Sequence, residues 1–253
     1  MDNFYDALAM YYDTMQSDMD AGAWADFISM LIERHSEIRT ETITDLGCGT
    51  GSVTVALAEK GYSMTGLDSA EEMLAQATSK PNAEKVLWSA QDITAFDIGG
   101  KSDCFISTLD TVDHIMDEGA LERLFANVGD CLEEGGVFIF DAITMHHLED
   151  TLSDNIFYED YDDFTLLWVN EFNKETKVNT AGLTLFALTE EGLYERFDGE
   201  LVEKYYPSEF FEAIAGKAGM ELLATYGELK DEEPSMDEER IFYVFGKKGR
   251  HDG

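Results

Sequence analysis

Basic residues are scarce in this chain of 253 residues, which has 17 Lys and Arg against 53 Asp and Glu. With a net charge of −36, it has no basic stripe of the kind that binds nucleic acid or an anionic membrane surface. We therefore expect neither nucleic acid nor membrane as a partner. The acidity is typical of a solvated surface, although a salt-adapted source would give the same composition.

Cysteine is also rare, since Cys48, Cys104 and Cys131 are the three in the chain and lack the spacing of metal ligands. His146-His147 has no Cys or HxxxH partner, so no metal is expected. The chain has no apolar run of roughly 18 residues, and its first residues do not resemble a signal peptide. These absences predict reduced thiols and a cytoplasmic protein, with monomer and homodimer both open.

Hydrophobic residues make up 44% of the chain, which is enough to form a core. The length fits one large domain or one domain with an insertion. Two amphipathic helices are predicted first. Strands then alternate with helices from "TITDL" to "VFIFDA", which predicts a mostly parallel, doubly wound α/β sheet. Ser69 and Glu72 predict a capping box at the start of the helix "EEMLAQAT".

The pattern changes from about residue 155, where "FTLLWVNEF", "VNTAGLTLFAL" and "LYERFDGELVEKYY" alternate without helical periodicity. They predict an inserted antiparallel β-sheet, which spans residues 151–204 as a substrate lid. The main domain then comprises residues 1–150 and 205–250 and includes the N-terminal helices of residues 1–40. Because the insertion follows the carboxyl end of a strand, it should roof the acceptor side of the site. Its expected apolar wall is Phe164, Trp168, Phe172 and Phe186.

The stretch "TDLGCGTGS" places Gly47, Gly49 and Gly51 between a predicted strand and a predicted helix. An acid, Asp68, ends the next strand roughly 20 residues later, where nucleotide-binding folds hold a ribose diol. Gly51 falls one position short of the third glycine in the NAD and FAD fingerprint, and no Lys-Ser/Thr pair marks a P-loop. The ligand should carry a ribose but no pyrophosphate, with a tight turn that binds nothing as the alternative.

The continuous stretch "ITDLGCGTGSVTVALAEKGYSMTGLDSAEEMLAQA" resembles the class I S-adenosylmethionine-dependent methyltransferases, as do "AQDI", "LDTVDHI" and the glycine pair before "VFIFD". The segments "YYPSEFFEAIAGKAGM" and "ERIFYVFGKK" are similar to small bacterial members of mostly undefined substrate. The resemblance implies a Rossmann-like, mostly parallel seven-stranded sheet and S-adenosylmethionine (SAM) as cofactor. It implies methyl transfer to a small-molecule acceptor, with a non-catalytic SAM-binding regulatory or interaction protein as the alternative.

The resemblance also implies roles for individual residues. Asp45, Gly47 and Gly49 should surround the methionine moiety, and the segment 109–110 should pass beside the sulfonium. Asp68 should take the ribose hydroxyls, and Asp92 with the Ile93 amide should bind the adenine. Tyr5, Tyr12 and Trp24 resemble N-terminal residues that close over the cofactor. A cap on the next turn is the alternative for Asp92, and core packing is the alternative for these three aromatic residues. The expected cofactor-binding residues are Tyr5, Tyr12, Trp24, Asp45, Gly47, Cys48, Gly49, Gly51, Asp68, Ser69, Met73, Gln91, Asp92, Ile93, Leu109 and Asp110.

Methyl transfer from sulfur is an in-line displacement, so the protein mainly has to align the acceptor. An acceptor that must lose a proton also needs a base. We expect Asp110 and His114 as catalytic residues, with Asp113, His146 and His147 as further candidates. Related sequences tend to carry Asn-Tyr at the place of Asp113-His114, and a histidine before the Tyr-Pro that stands here as Tyr206-Pro207, so the acceptor should differ.

Overall fold

The computed structural model describes residues 2–247, without the side chains of residues 2, 3, 5 and 6. The first half contains α1 (Asp2–Met15), α2 (Ala21–His35), β1 (Thr42–Leu46), α3 (Ser52–Glu59), β2 (Ser63–Asp68), α4 (Glu71–Ser79), β3 (Val86–Ala90), β4 (Ser102–Ser107), α5 (Glu118–Cys131) and β5 (Leu132–Ile143). The second half contains β6 (Ile156–Asp160), β7 (Phe164–Asn173), β8 (Val178–Leu188), β9 (Tyr194–Lys204), α6 (Ser208–Lys217), β10 (Met220–Gly227) and β11 (Arg240–Lys247). Single helical turns follow β4 at Thr111–His114 and β5 at His147–Leu152.

The strands form two sheets. The main sheet has seven strands in the order β10-β11-β5-β4-β1-β2-β3. Among the described residues, β11 is antiparallel to both of its neighbours, β5 and β10, and the other neighbouring strands are parallel. The second sheet has the antiparallel order β6-β7-β8-β9. The predicted fold class, a doubly wound and mostly parallel seven-stranded sheet with an inserted antiparallel sheet, is confirmed.

Helices cover both faces of the main sheet, because successive side chains of its strands point to opposite faces. On β5, Val137 and Ile139 pack in the cluster that contains the buried residues of α2 and α3. Phe138 and Phe140 pack in the cluster that contains those of α5 and α6. With both faces covered, the carboxyl ends of the parallel strands and their loops are left to form a site.

The second sheet supports the first helix. Phe4 and Leu8 of α1 pack against Phe164, Leu166 and other buried residues on one face of this sheet, which we call its inner face. A Cβ atom on Gly199 of β9 would lie 2.1 Å from Cδ1 of Phe4, so the helix and the strand touch closely. The position of α1 therefore depends on the inserted sheet.

Two local features differ from the sequence prediction. The capping box at Ser69 is wrong: α4 begins after Ala70, and Oδ1 of Asp68 accepts the hydrogen bond from the Ala70 amide at 2.9 Å instead. The strand β6 was not predicted. It lies at the edge of its sheet with exposed Ile156 and Tyr158, so its sequence lacks the buried apolar alternation that marks the other three strands.

Candidate active site

The glycine turn forms one wall of a small cavity at the carboxyl end of β1. Gly47, Gly49 and Gly51 all have left-handed backbone, with φ of 76°, 53° and 74°. A Cβ on Gly47 would lie 2.3 Å from Thr111, and one on Gly51 would lie 2.4 Å from the Trp88 ring, whereas nothing lies within 4 Å of one on Gly49. Packing thus requires two of the glycines, and the third faces open space.

We call this space the turn cavity. It encloses about 50 Å³, enough for a few water-sized groups. Its lining residues are Tyr12, Asp13, Gln16, Met19, Asp45, Gly47, Cys48, Gly49, Thr50, Ser52, Val53, Thr108, Leu109 and Thr111.

Asp45 is the buried acid of the turn cavity, with 1% of its surface exposed. Its Oδ2 accepts a hydrogen bond from the Thr54 hydroxyl at 2.6 Å, but its Oδ1 has no hydrogen-bond partner within residues 2–247. Burial raises the pKa of Asp45 to about 7. A buried acceptor without a donor is unfavourable, and a cationic amino group would satisfy it. The cavity therefore fits the ammonium end of the methionine moiety of SAM.

The acids that end the next two strands hold loop backbone. Asp68 accepts hydrogen bonds from the Gly49 amide at 2.8 Å and from the Ala70 amide, one on each carboxylate oxygen. Each oxygen has a second lone pair for a ribose hydroxyl. The exposed Asp92 accepts from the amide and hydroxyl of Thr94, both at 2.8 Å, which is the turn cap that the sequence left open.

The other expected cofactor residues differ in position. Tyr12, Cys48 and Leu109 line the turn cavity. Ser69, Met73, Gln91 and Ile93 follow the carboxyl ends of β2 and β3, and Gln91 uses its amide to bind the backbone of Asp97. Trp24 is not among the residues that line the turn cavity; it is buried against Phe242, with ring centroids 5.2 Å apart. The side chain of Tyr5 lies outside the described residues.

A buried ion-pair cluster fixes the loop after β4. Leu109 and Asp110 both have left-handed backbone, with φ of 59° and 64°, which is uncommon for residues with a Cβ. Asp141 accepts hydrogen bonds from both of their amides, at 2.9 and 3.1 Å. Arg240 pairs with Asp141 and, at 2.8 Å, with Asp110, while its guanidinium lies 5.7 Å from the Trp24 ring centroid. Arg240 is therefore the ion-pair partner of the Asp110 carboxylate, one of the two expected catalytic residues.

A second cavity of about 220 Å³ lies between α1, the loop after β4 and the inner face of the inserted sheet. We call it the sheet cavity. Tyr12, Gln16 and Leu109 line both this cavity and the turn cavity, so the two meet at these residues. Its lining residues are Leu8, Tyr12, Met15, Gln16, Leu109, Asp110, His114, His147, Leu152, Trp168, Asn170, Ala181, Leu183, Leu201, Glu203 and Arg240.

Of the four aromatic residues expected to wall the acceptor site, the structure places Trp168 on the sheet cavity. Phe164 packs under α1, and Phe172 packs in a separate cluster with Leu148. Phe186 pairs with Thr165 and therefore lies on the opposite face of the sheet, where Arg196 covers its ring. The expectation that all four line the acceptor site is therefore wrong for the sheet cavity, because the sequence pattern does not show which of these rings is covered by α1 or by other parts of the chain.

His114 is the oriented imidazole of the sheet cavity. Its Nδ1 lies 2.9 Å from the carbonyl oxygen of Val202. A carbonyl can only accept, so Nδ1 carries the proton and Nε2 of the neutral ring is an acceptor. Asp113 is fully buried, accepts from the Ile143 amide at 2.9 Å, and has its pKa raised well above the usual range by burial. Asp113 thus holds the backbone of β5 in the described fold. His146, another candidate, pairs with Asp150.

Three polar residues interrupt the apolar inner face of the inserted sheet: Asn170 on β7, Asn179 on β8 and Glu203 on β9. Asn179 is in register with Glu203 and donates to Oδ1 of Asn170 at 3.0 Å. Asn170 and Glu203 line the sheet cavity. Sequence analysis missed all three, as it missed Asp141 and Arg240. The sequence does contain a signal for Asn170, because this polar residue falls in phase with the buried apolar residues of β7 and must therefore face inward.

Known proteins resemble the chain along most of its length. A family profile described as a methyltransferase domain matches residues 43–136. Putative methyltransferases from Geobacillus sp. (strain WCH70) and Bacillus subtilis (strain 168, YqeM) are each 27% identical, over 96% and 94% of this chain and 99% and 95% of theirs. A crystal structure of a SAM-dependent methyltransferase from Clostridium acetobutylicum ATCC 824 has a TM-score of 0.84 and 29% identity, covering 95% of this chain and 97% of that one.

These matches, the sheet order and the glycine turn identify the chain as a class I SAM-dependent methyltransferase, similar to small bacterial members of that class. SAM is its cofactor. Within residues 2–247, no helix is long and apolar enough to cross a membrane. Over the same part of the chain, no group of three or more His, Cys, Asp or Glu side chains is arranged to hold a metal ion.

Proposed function

We propose that the protein transfers a methyl group to a small-molecule acceptor bound in the sheet cavity. The observation that carries this proposal is the junction of the two cavities at Tyr12, Gln16 and Leu109, which gives an acceptor access to the cofactor site. The volume of about 220 Å³ is below the roughly 300–1,000 Å³ of pockets for drug-sized ligands, which favours a small acceptor.

The cofactor, when bound, supplies an activated methyl group on a positively charged sulfur, so the protein has to bind and align rather than drive the reaction. In this proposal Asp45 and the backbone of Gly47 and Gly49 hold the amino-acid end of SAM. Asp68 accepts from the ribose hydroxyls, and Asp92 binds the adenine through the carboxylate oxygen that does not cap the turn.

The chain's other task is to position the acceptor and take its proton. Asp141 fixes the backbone of Leu109 and Asp110 at the junction, so the loop needs no rearrangement on binding. His114 accepts the proton of the acceptor at Nε2, because the Val202 carbonyl already holds Nδ1–H. Asp110 acts through its negative charge, which favours the positively charged sulfur.

The test is to incubate the protein with SAM and a small-molecule extract of bacterial cells and to measure release of S-adenosylhomocysteine and the methylated product. Release is expected, and His114→Ala should reduce it about 100-fold, typical of a lost general base, without weakening cofactor binding. His146→Ala is the matched control, because His146 pairs with Asp150 and does not line the sheet cavity. SAM binding without turnover of any extract would instead identify a non-catalytic binding protein.

A further inference from the structure

The sheet cavity has more carboxylates than cations on its wall. Asp110 and Glu203 line it, and Arg240 is the one Lys or Arg among its described lining residues. Arg240 is already shared, since it forms ion pairs with Asp110, Asp141 and Glu228. The guanidinium therefore does not offset the charge of Glu203.

Glu203 has the amide of Asn179 and the imidazoles of His114 and His147 as neighbours, but no Lys or Arg partner within residues 2–247. No Lys or Arg forms an ion pair with it among the described residues, and the adjacent Lys204 pairs with Glu118 at 3.0 Å. The side chain of Asn179 hydrogen-bonds Glu203. Burial and then the charge of Asp110 raise the pKa of Glu203, against the opposing effect of His114 and His147. A partly buried carboxylate without a Lys or Arg partner is unfavourable for folding, so its presence on a cavity wall favours a ligand that carries a positive charge.

An aromatic neighbour favours a positively charged ligand as well. Trp168 places an indole on the same cavity, and indole rings attract cations. Carboxylate and aromatic ring together match an ammonium group on a small, partly apolar body.

We propose that the acceptor is a small primary or secondary amine, which Glu203 binds as its ammonium ion and which is methylated on nitrogen. This inference rests on the proposed function, because it assigns the occupant of the same cavity. A carboxylate or phenolate acceptor would meet the charges of Asp110 and Glu203, and close like charges repel. A neutral alcohol would bring no positive charge to Glu203.

The reaction balances with groups already named. The ammonium ion gives one proton to Nε2 of His114, and the resulting amine has a lone pair on nitrogen. That pair forms the new N–C bond to the methyl group as the S–C bond breaks and its electrons remain on sulfur. The products are the N-methylated ammonium ion and the uncharged thioether S-adenosylhomocysteine, and His114 returns its proton to water.

The first experiment separates this inference from the proposed function. The bacterial extract is divided on a cation-exchange resin into a retained fraction of amines and an unretained fraction of neutral and acidic compounds. Release of S-adenosylhomocysteine with the retained fraction is the expected result. Release with the unretained fraction alone would overturn the amine assignment and leave the proposed function standing. Release with neither would overturn both.

The second experiment tests Glu203 directly with three probes of similar size: benzylamine, benzyl alcohol and benzoate. Calorimetry with S-adenosylhomocysteine present should show benzylamine binding about 10- to 100-fold more tightly than the other two, as expected for a charge-assisted hydrogen bond. Glu203→Gln should remove most of this preference and leave the affinity for S-adenosylhomocysteine within about twofold.

Glu195→Gln is the matched control, since Glu195 is an exposed residue of the same strand and its replacement removes the same charge. It should retain the preference for benzylamine. Equal affinity of the wild type for the three probes, an unchanged preference in Glu203→Gln, or no binding of any probe would count against the proposal.

Discussion

At the residue scale, the buried Asp45 couples the stability of the protein to pH. It is buried, Thr54 is its one hydrogen-bond donor among the described residues, and its Oδ1 lacks a partner. Burial raises the pKa of this carboxyl group to about 7, above the roughly 3.9 of an unfolded aspartate. The folded protein therefore binds a proton that the unfolded chain has released between about pH 4 and pH 7.

This pKa difference predicts the pH dependence of Asp45→Asn. Stability of the wild type should fall as pH rises through that window, because ionisation of Asp45 disfavours the folded state, whereas asparagine has no such titration. In thermal unfolding without ligand, the melting temperature of the variant minus that of the wild type should increase from pH 5 to pH 8. Its affinity for SAM should nevertheless fall about 10- to 100-fold, since the charged partner of the ammonium group is lost.

Glu33→Gln provides the control, because Glu33 is an exposed carboxylate on α2. Its melting temperature should stay parallel to that of the wild type over the same pH range. A constant difference between Asp45→Asn and the wild type at all pH values would show that Asp45 does not titrate in this window.

Sequence analysis predicted single residues best where local backbone geometry dictates them. The glycine turn and Asp68 lie on one strand–turn–helix segment and the strand that follows it, so their spacing alone indicated a nucleotide-like site. Glu203 and Arg240 are far apart in the chain and meet at the sheet cavity only after the inserted sheet and β11 have packed. No local pattern predicts that meeting.

At the scale of elements, the carboxylate of Asp13 connects α1 to the glycine turn. Asp13 accepts a hydrogen bond from the Thr50 hydroxyl at 2.5 Å and pairs with Lys80, the residue that follows α4. Lys80 also donates to the hydroxyl of Ser52 at 3.1 Å. Asp13 therefore joins α1, which supplies Tyr12 to both cavities, to the turn and to the end of α4.

Asp13→Ala should release this connection and weaken the affinity for SAM by about 1–2 kcal/mol, or roughly 5- to 30-fold, mainly through faster dissociation. Stopped-flow or surface-based kinetics would measure the rate. Hydrogen exchange should increase in α1 and change little in α5. Asp18→Ala is the control, because Asp18 is an exposed acid just after α1 and should leave dissociation unchanged. Unaltered dissociation in Asp13→Ala would mean that α1 does not retain the cofactor.

The order of elements followed from the sequence because apolar periodicity reports which faces are buried. The beginning of α4 did not, since the carboxylate of Asp68 replaces the expected Ser69 cap, and this depends on how β2 ends in space. The site has the same division. The glycine turn, Asp68 and Asp92 follow successive strands of the main sheet, while the sheet cavity requires α1, the loop after β4 and the inserted sheet to come together.

At the scale of the whole molecule, the inserted sheet should affect cofactor binding although it does not line the turn cavity. Its inner face packs against Phe4 and Leu8 of α1, and the same helix brings Tyr12 to the junction of the cavities. A change at the contact between helix and sheet should therefore reach both ligands.

Gly199→Val tests this coupling from a position outside both cavities. Its Cβ would overlap the ring of Phe4, 2.1 Å from the nearest ring atom, so α1 must shift away from the sheet. We expect a loss of about 1–3 kcal/mol in the free energy of unfolding, as for an overpacked core, and a roughly fivefold weaker affinity for SAM in calorimetry. Gly182→Ala is the matched control on the neighbouring strand, because its Cβ would meet only the carbonyl oxygen of Val169, at an ordinary 3.7 Å. It should leave cofactor affinity unchanged. If Gly199→Val is destabilised to the expected extent but binds SAM as the wild type does, the inserted sheet and the cofactor site are independent, and α1 does not couple them.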